Sequence, residues 1–139
     1  MPTYDEHMDR ISHNNRLLLF LEQSEKHAEF SDWYVTIAFY IASNHAEAMF
    51  FAVKPEIHKR MGVVTRIEHS RSHRERNRIL KHFFKDVFKV YTTLYGYSRI
   101  AKYRQYVPIS PNSQDAKSLL ADIGLKCEKL IKGQNQQTN

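Results

Sequence analysis

Apolar residues recur along much of this chain at intervals of three and four, the period that gathers them on one face of an α-helix. From Tyr4 to about Phe30 the stripe runs Met8, Ile11, Leu18 and Leu19, with Asn15 and Glu22 in register and Leu17 and Leu21 widening it. Ser31 then reads as an N-cap, followed by Asp32 in the first turn, where the helix dipole favours an acid. A second helix is expected from Asp32 to about Val53, with Ile37, Tyr40, Ile41, Ala48 and Ala52 at helical spacing. Alanines at 38, 42, 46, 48 and 52 leave room for a neighbouring helix to approach closely. Lys54-Pro55 ends it, because proline disfavours the helical region for the residue before it.

The connection from Pro55 to Ser70 is long for a bundle turn, and long ordered loops tend to carry function. "SHRE", Ser72 to Glu75, is a capping box that starts a third helix. Its face of Ile79, Leu80, Phe83, Phe84, Val87, Phe88, Tyr91 and Leu94 predicts a run to about Leu94, with a break or kink at Gly96. "YSRIAKYRQY" either continues it or forms a short fourth helix. "VPISPNSQ" is a linker, with Ser110 as N-cap and Pro111 at the first helical position of the last helix. Ala116, Leu119, Leu120, Ile123, Cys127, Leu130 and Ile131 share one face of that helix. Gly133 suits its C-terminal cap, leaving 134–139 as a disordered tail. With no strand alternation and no internal repeat, the expectation is one all-α domain over 1–133, an up-and-down bundle of four to five helices.

At 139 residues the chain suits a single domain, and 42% hydrophobic with 26% charged residues is an ordinary globular balance. No apolar run nears the ~20 residues of a membrane span, and "MPTYDEHMDR" has no secretory apolar region. Cys127 stands alone and cannot close an internal disulfide, so a reducing, cytoplasmic setting is the default. Charge changes the picture more. The net +6 conceals a basic segment from Lys54 to Arg104, with fourteen Lys and Arg against four acids, inside an otherwise acidic chain. Such a split points to an anionic partner, most simply nucleic acid; the alternative is a basic helix face neutralised by the other helices.

The densest part is "HSRSHRERNRILKHFF", His69 to Phe84. His73, Arg76 and Asn77 lie three and four apart, one turn before Leu80 and Phe84, and so share the inward side of the helix start. There they either bond loop carbonyls or line a cleft. His82 falls nearer Arg78, Lys85 and Lys89, on the surface side. His45 sits among Ile41, Ala48, Met49 and Ala52, as a core histidine or, if near His73 in space, part of a base–acid or metal pair. There is no HExxH, no CxxC and no carboxylate-rich set, so neither a metal site nor a cofactor is expected.

"DWYVTIAFYIASNHAEAMF", then "SHRERNRIL", then "YTTLYGYSRIAKY", taken in order, resemble the HEPN superfamily of small helical bundles. The resemblance covers roughly Asp32 to Tyr103. It implies a homodimer and, in active members, metal-independent endoribonuclease activity, as in toxins and defence factors with an antitoxin-type protein partner. The family's signature is an arginine, often followed by a polar residue, with four to six residues between the arginine and a histidine. Arg76-Asn77 with His82 matches, with five residues between; Arg66 with His73 matches with six. Many members lack catalysis and serve as dimeric binding modules for a protein, nucleotide or nucleic acid, which is the alternative here.

In an active member, a neutral histidine takes the ribose 2′-OH proton while an arginine holds the phosphate and Asn77 orients either. Arg71, Arg74, Arg78, Lys81, Arg99, Lys102 and Arg104 would bind the RNA. Tyr91, Tyr95, Tyr97, Tyr103 and Tyr106 interleave with the last three bases, a pattern that serves single-stranded RNA or simply packs a core. Trp33 is expected to pack against a neighbouring helix.

Overall fold

The computed structural model describes residues 2–58, 64–102 and 113–137. Five helices account for most of them: α1 (Tyr4–Gln23), α2 (Ser31–Val53), α3 (His73–Phe83), α4 (Lys85–Lys102) and α5 (Ser113–Gln137). The all-α bundle expected from the periodicity is therefore what the chain forms, with one small addition. Strands β1 (Glu56–His58) and β2 (Val64–Arg66) pair antiparallel in the α2–α3 connection, with Ile57 opposite Thr65. Three residues a side are too few for an alternating pattern to register in sequence.

The bundle is organised around α2. It packs against α1, α4 and α5, and its buried side chains, from Tyr34 and Val35 to Met49 and Phe50, point in every direction. A helix apolar all round belongs at the centre. Its alanines do what their size suggests: Ala38, Ala42 and Ala46 are fully buried between neighbours. Glu47 is the exception, an acid buried on this central helix.

Caps fix several boundaries. Thr3 accepts from the Glu6 amide to start α1, and Ser72 accepts from the Glu75 amide at 3.1 Å to start α3, as "SHRE" predicts. Lys54 ends α2 in the left-handed region, φ 51°, just before Pro55.

Elsewhere the boundaries differ from expectation. The first helix stops at Gln23, and a turn from Ser24 to Phe30 leads into α2; Phe30 rather than Ser31 takes the N-cap position, without a side-chain cap bond. The break after α3 falls at Phe84, not at Gly96, which lies inside α4. Phe84 leaves helical geometry with its ring stacked on Phe50, 5.9 Å between centroids, so a core contact sets the break. Gly133 does not stop α5, which continues to Gln137. Ser110, Pro111, Arg104, Tyr103 and Tyr106 lie outside the described residues. Trp33 is 59% exposed rather than packed against a helix.

Candidate functional site

The start of α3 delivers Arg76 onto the buried carboxylate of Glu47. Arg76 Nε donates to Glu47 Oε1 at 3.0 Å, and both side chains are largely sheltered, 15% and 8% exposed. The same carboxylate accepts from the Ser70 amide at 3.1 Å and from the Ser70 hydroxyl. An isolated carboxylate in this apolar helix would be costly; here three donors converge on it. Arg76 reaches onward as well. Its Nη1 stands 3.0 Å from His73 Nδ1 and 3.4 Å from the Tyr91 hydroxyl. Burial works against the guanidinium charge, but Tyr91 and Glu47 outweigh it and raise the Arg76 pKa.

Because Arg76 can only donate, His73 Nδ1 must accept, which leaves the hydrogen of the neutral ring on Nε2. Partial burial, then Arg76 and Lys102, lower the His73 pKa and favour the neutral ring. The ring lies 5.8 Å from Phe39 and 6.5 Å from Tyr95, and Arg99 lies 5.9 Å from the Tyr95 ring. The end of α4, with Arg99 and Lys102, is thus folded back beside the start of α3.

The structure therefore joins some of the expected residues and separates others. Arg76 and His73 meet. His82 does not join them: it is exposed and packs edge-on against Phe83, 4.5 Å away. Arg66 is exposed and held by Glu56 at 3.2 Å, and it makes no hydrogen bond to His73 among the described residues. Asn77 Oδ1 is buried and makes no hydrogen bond among the described residues. Arg71, Arg74, Arg78 and Lys81 are all exposed, and none makes an ion pair among the described residues. At helical spacing, 74, 78 and 81 form one basic stripe.

His45 is half-buried against α5, where a Cβ on Gly124 would stand 3.4 Å from its ring; burial lowers its pKa. It has no part in the Arg76 cluster.

Three residues outside the sequence-derived candidates complete the neighbourhood: Glu47, His7 and His69. His7, in the first turns of α1, is 4% exposed, with its ring 5.7 Å from that of His69. Its pKa is lowered, chiefly by burial. His69 Nδ1 approaches Glu47 Oε2 at 3.9 Å. With Arg10, Ser43, Asn44, Ser70 and Arg76 they line a cavity of about 190 Å³. Glu47 carried a signal in sequence as the one acid in the apolar run "HAEAMFF", and His69 as the first residue of the histidine–arginine stretch; His7 carried none. Comparison with protein-family models, curated proteins and solved structures finds no match for the chain.

Proposed function

We propose that this chain is an HEPN-like, RNA-directed protein that cuts RNA without using a metal ion, acting as a homodimeric ribonuclease toxin or defence factor in the cytoplasm. The observation that carries this reading is the 3.0 Å pairing of Arg76 with His73 at the head of α3, beside an unneutralised basic stripe. Arg99 and Lys102 add cationic side chains on the His73 side, and Tyr95 a ring on which a base could stack.

The chemistry follows from the pairing. An incoming phosphate takes over the hydrogen bond from Arg76 Nη1, which stays protonated, and this frees the His73 Nδ1 lone pair. That nitrogen takes the proton of the ribose 2′-OH as O2′ attacks phosphorus. The P–O5′ bond breaks, a 2′,3′-cyclic phosphate forms, and the imidazolium returns the proton to O5′. Arg76 offsets the negative charge that grows on the phosphate. Glu47 holds the guanidinium in place throughout, from the side away from His73.

The test is incubation of pure protein with varied single-stranded RNAs in EDTA. Cleavage with cyclic-phosphate ends is expected, abolished by His73→Ala and retained by His82→Ala. Loss with His82→Ala instead would move the base to the exposed side of α3, across a dimer interface. One observation favours a second reading: Arg76 already has its charge met by Glu47. On that reading the chain is a non-catalytic dimeric module that binds a protein, nucleotide or nucleic acid. Intact RNA, together with retained RNA binding or a stoichiometric antitoxin-type partner, would establish it.

A further inference from the structure

Glu47 has a second side. Oε1 faces Arg76, while Oε2 faces His69, and His7 completes a triangle in which one ligand atom from each residue lies within 4.8 Å of the others. We infer that His7, Glu47 and His69 form a binding site for a single zinc-type divalent ion. Two neutral imidazoles and a carboxylate are a ligand set that zinc accepts, with a fourth position left open.

Two independent features of His7 point to a ligand. Asn44 donates from Nδ2 to the Tyr40 carbonyl at 3.0 Å, so its Oδ1 is the atom turned towards His7 Nδ1, 3.4 Å away. An oxygen there requires the hydrogen on Nδ1 and leaves the lone pair on Nε2. Ligating histidines are held in this way, by an acceptor on the far nitrogen that fixes tautomer and ring orientation. Second, His7 Nε2 is buried and makes no hydrogen bond among the described residues. A buried acceptor of that kind is costly to leave unsatisfied, and a metal ion satisfies it.

The dimensions fit. Ligand atoms on a tetrahedral zinc stand about 3.3 Å apart, from bonds of about 2.0–2.1 Å. The His69–Glu47 pair is already at 3.9 Å, and side-chain torsions cover the remainder. Glu47 Oε2 keeps a lone pair after accepting from the Ser70 amide. The fourth position opens into the 190 Å³ cavity, where Arg10 and Arg76 suit water or a small anion on the metal. The ion would tie α1, α2 and the segment before α3 together. This site stands whether or not the protein cuts RNA.

The full chain, stripped with chelator and dialysed, is titrated with ZnCl2 by calorimetry, and with Co2+ by visible absorption. The expected result is one equivalent of zinc and the intense absorption of four-coordinate Co2+. Both are lost in His7→Gln and His69→Gln and kept in His13→Ala and His45→Ala. Asn44→Ala weakens binding about 10- to 100-fold, the cost of removing the partner that orients a ligating histidine. If one variant fails to fold, the other and the wild-type Co2+ spectrum still decide. Absence of stoichiometric metal, or full affinity in both glutamine variants, overturns the site. So does heat from inorganic phosphate in metal-free protein with none from zinc, which assigns the cavity to an anion.

Discussion

Arg76 and Glu47 form the hinge of the polar cluster: a guanidinium from the first turn of α3 meets a carboxylate from the middle of α2 at 3.0 Å, 29 residues apart in sequence. Glu47→Ala strands the guanidinium and the Ser70 amide, and is expected to cost about 3–5 kcal/mol. Arg76→Met strands the carboxylate and falls in the same range. The double variant should lose less than the two singles together, by about 1–3 kcal/mol, because the partners no longer leave each other unpaired. Urea denaturation of the four proteins measures this, and strict additivity would remove the pairing from any account of stability.

Acid should loosen the fold earlier than carboxylates alone would. His7, His45 and His73 all have pKa values below the ordinary 6.5, each with burial as the first cause. Between the folded and unfolded values the unfolded chain binds more protons, so stability rises with pH there. Their contribution is fully present above about pH 6.5 and is lost as pH falls below it. Denaturant midpoints measured from pH 7.5 to pH 5 should fall across that window. His7→Asn and His45→Asn should flatten the decline, at some cost at neutral pH.

On the RNA-directed reading, the stripe of Arg74, Arg78 and Lys81 contributes to affinity through phosphate contacts. Each contact to single-stranded RNA adds about 0.7 to the slope of log affinity against log salt. Replacing all three by glutamine should lower that slope by about 2, with binding weakened most at low salt. Fluorescence anisotropy of a labelled RNA across a KCl series reads both quantities. An unchanged slope places the RNA on another face.

Gly96 offers a check on α4. It lies within the helix, and a Cβ built there meets nothing within 4 Å. Gly96→Ala should therefore raise stability by about 0.5–1 kcal/mol through reduced backbone entropy in the unfolded chain. A loss on thermal or urea unfolding would mean that Gly96 has a close neighbour or a bend.

Helical periodicity located four of the five helices, and apolar spacing picks out most of the core positions on α4 and α5. On α2, which buries side chains in every direction, only Ile41 and Ala48 of the expected stripe are buried, and Tyr40 is exposed. The Ser72 cap is legible too, since its bond needs only four consecutive residues. The pairing of His73 with Arg76 was readable on the same terms, since residues three apart on a helix touch. Limits appeared where long-range packing overrides local signals. Phe84 breaks the helix because its ring stacks on Phe50, 34 positions earlier, while the glycine that looked like a break is accommodated inside α4. The short β1–β2 pair is invisible for want of length.

What only the tertiary structure decided is the company Arg76 keeps. Glu47 looks in sequence like a stray acid on an apolar helix, and His7 like a polar residue near the N-terminus. They become a site because α1 and the segment before α3 both pack against the middle of α2, bringing positions 7, 47 and 69 within a few ångströms. Spacing rules detect ligands carried on one helix or loop. They cannot detect a set contributed by three segments, because the distances between those segments are fixed by the packing of the core.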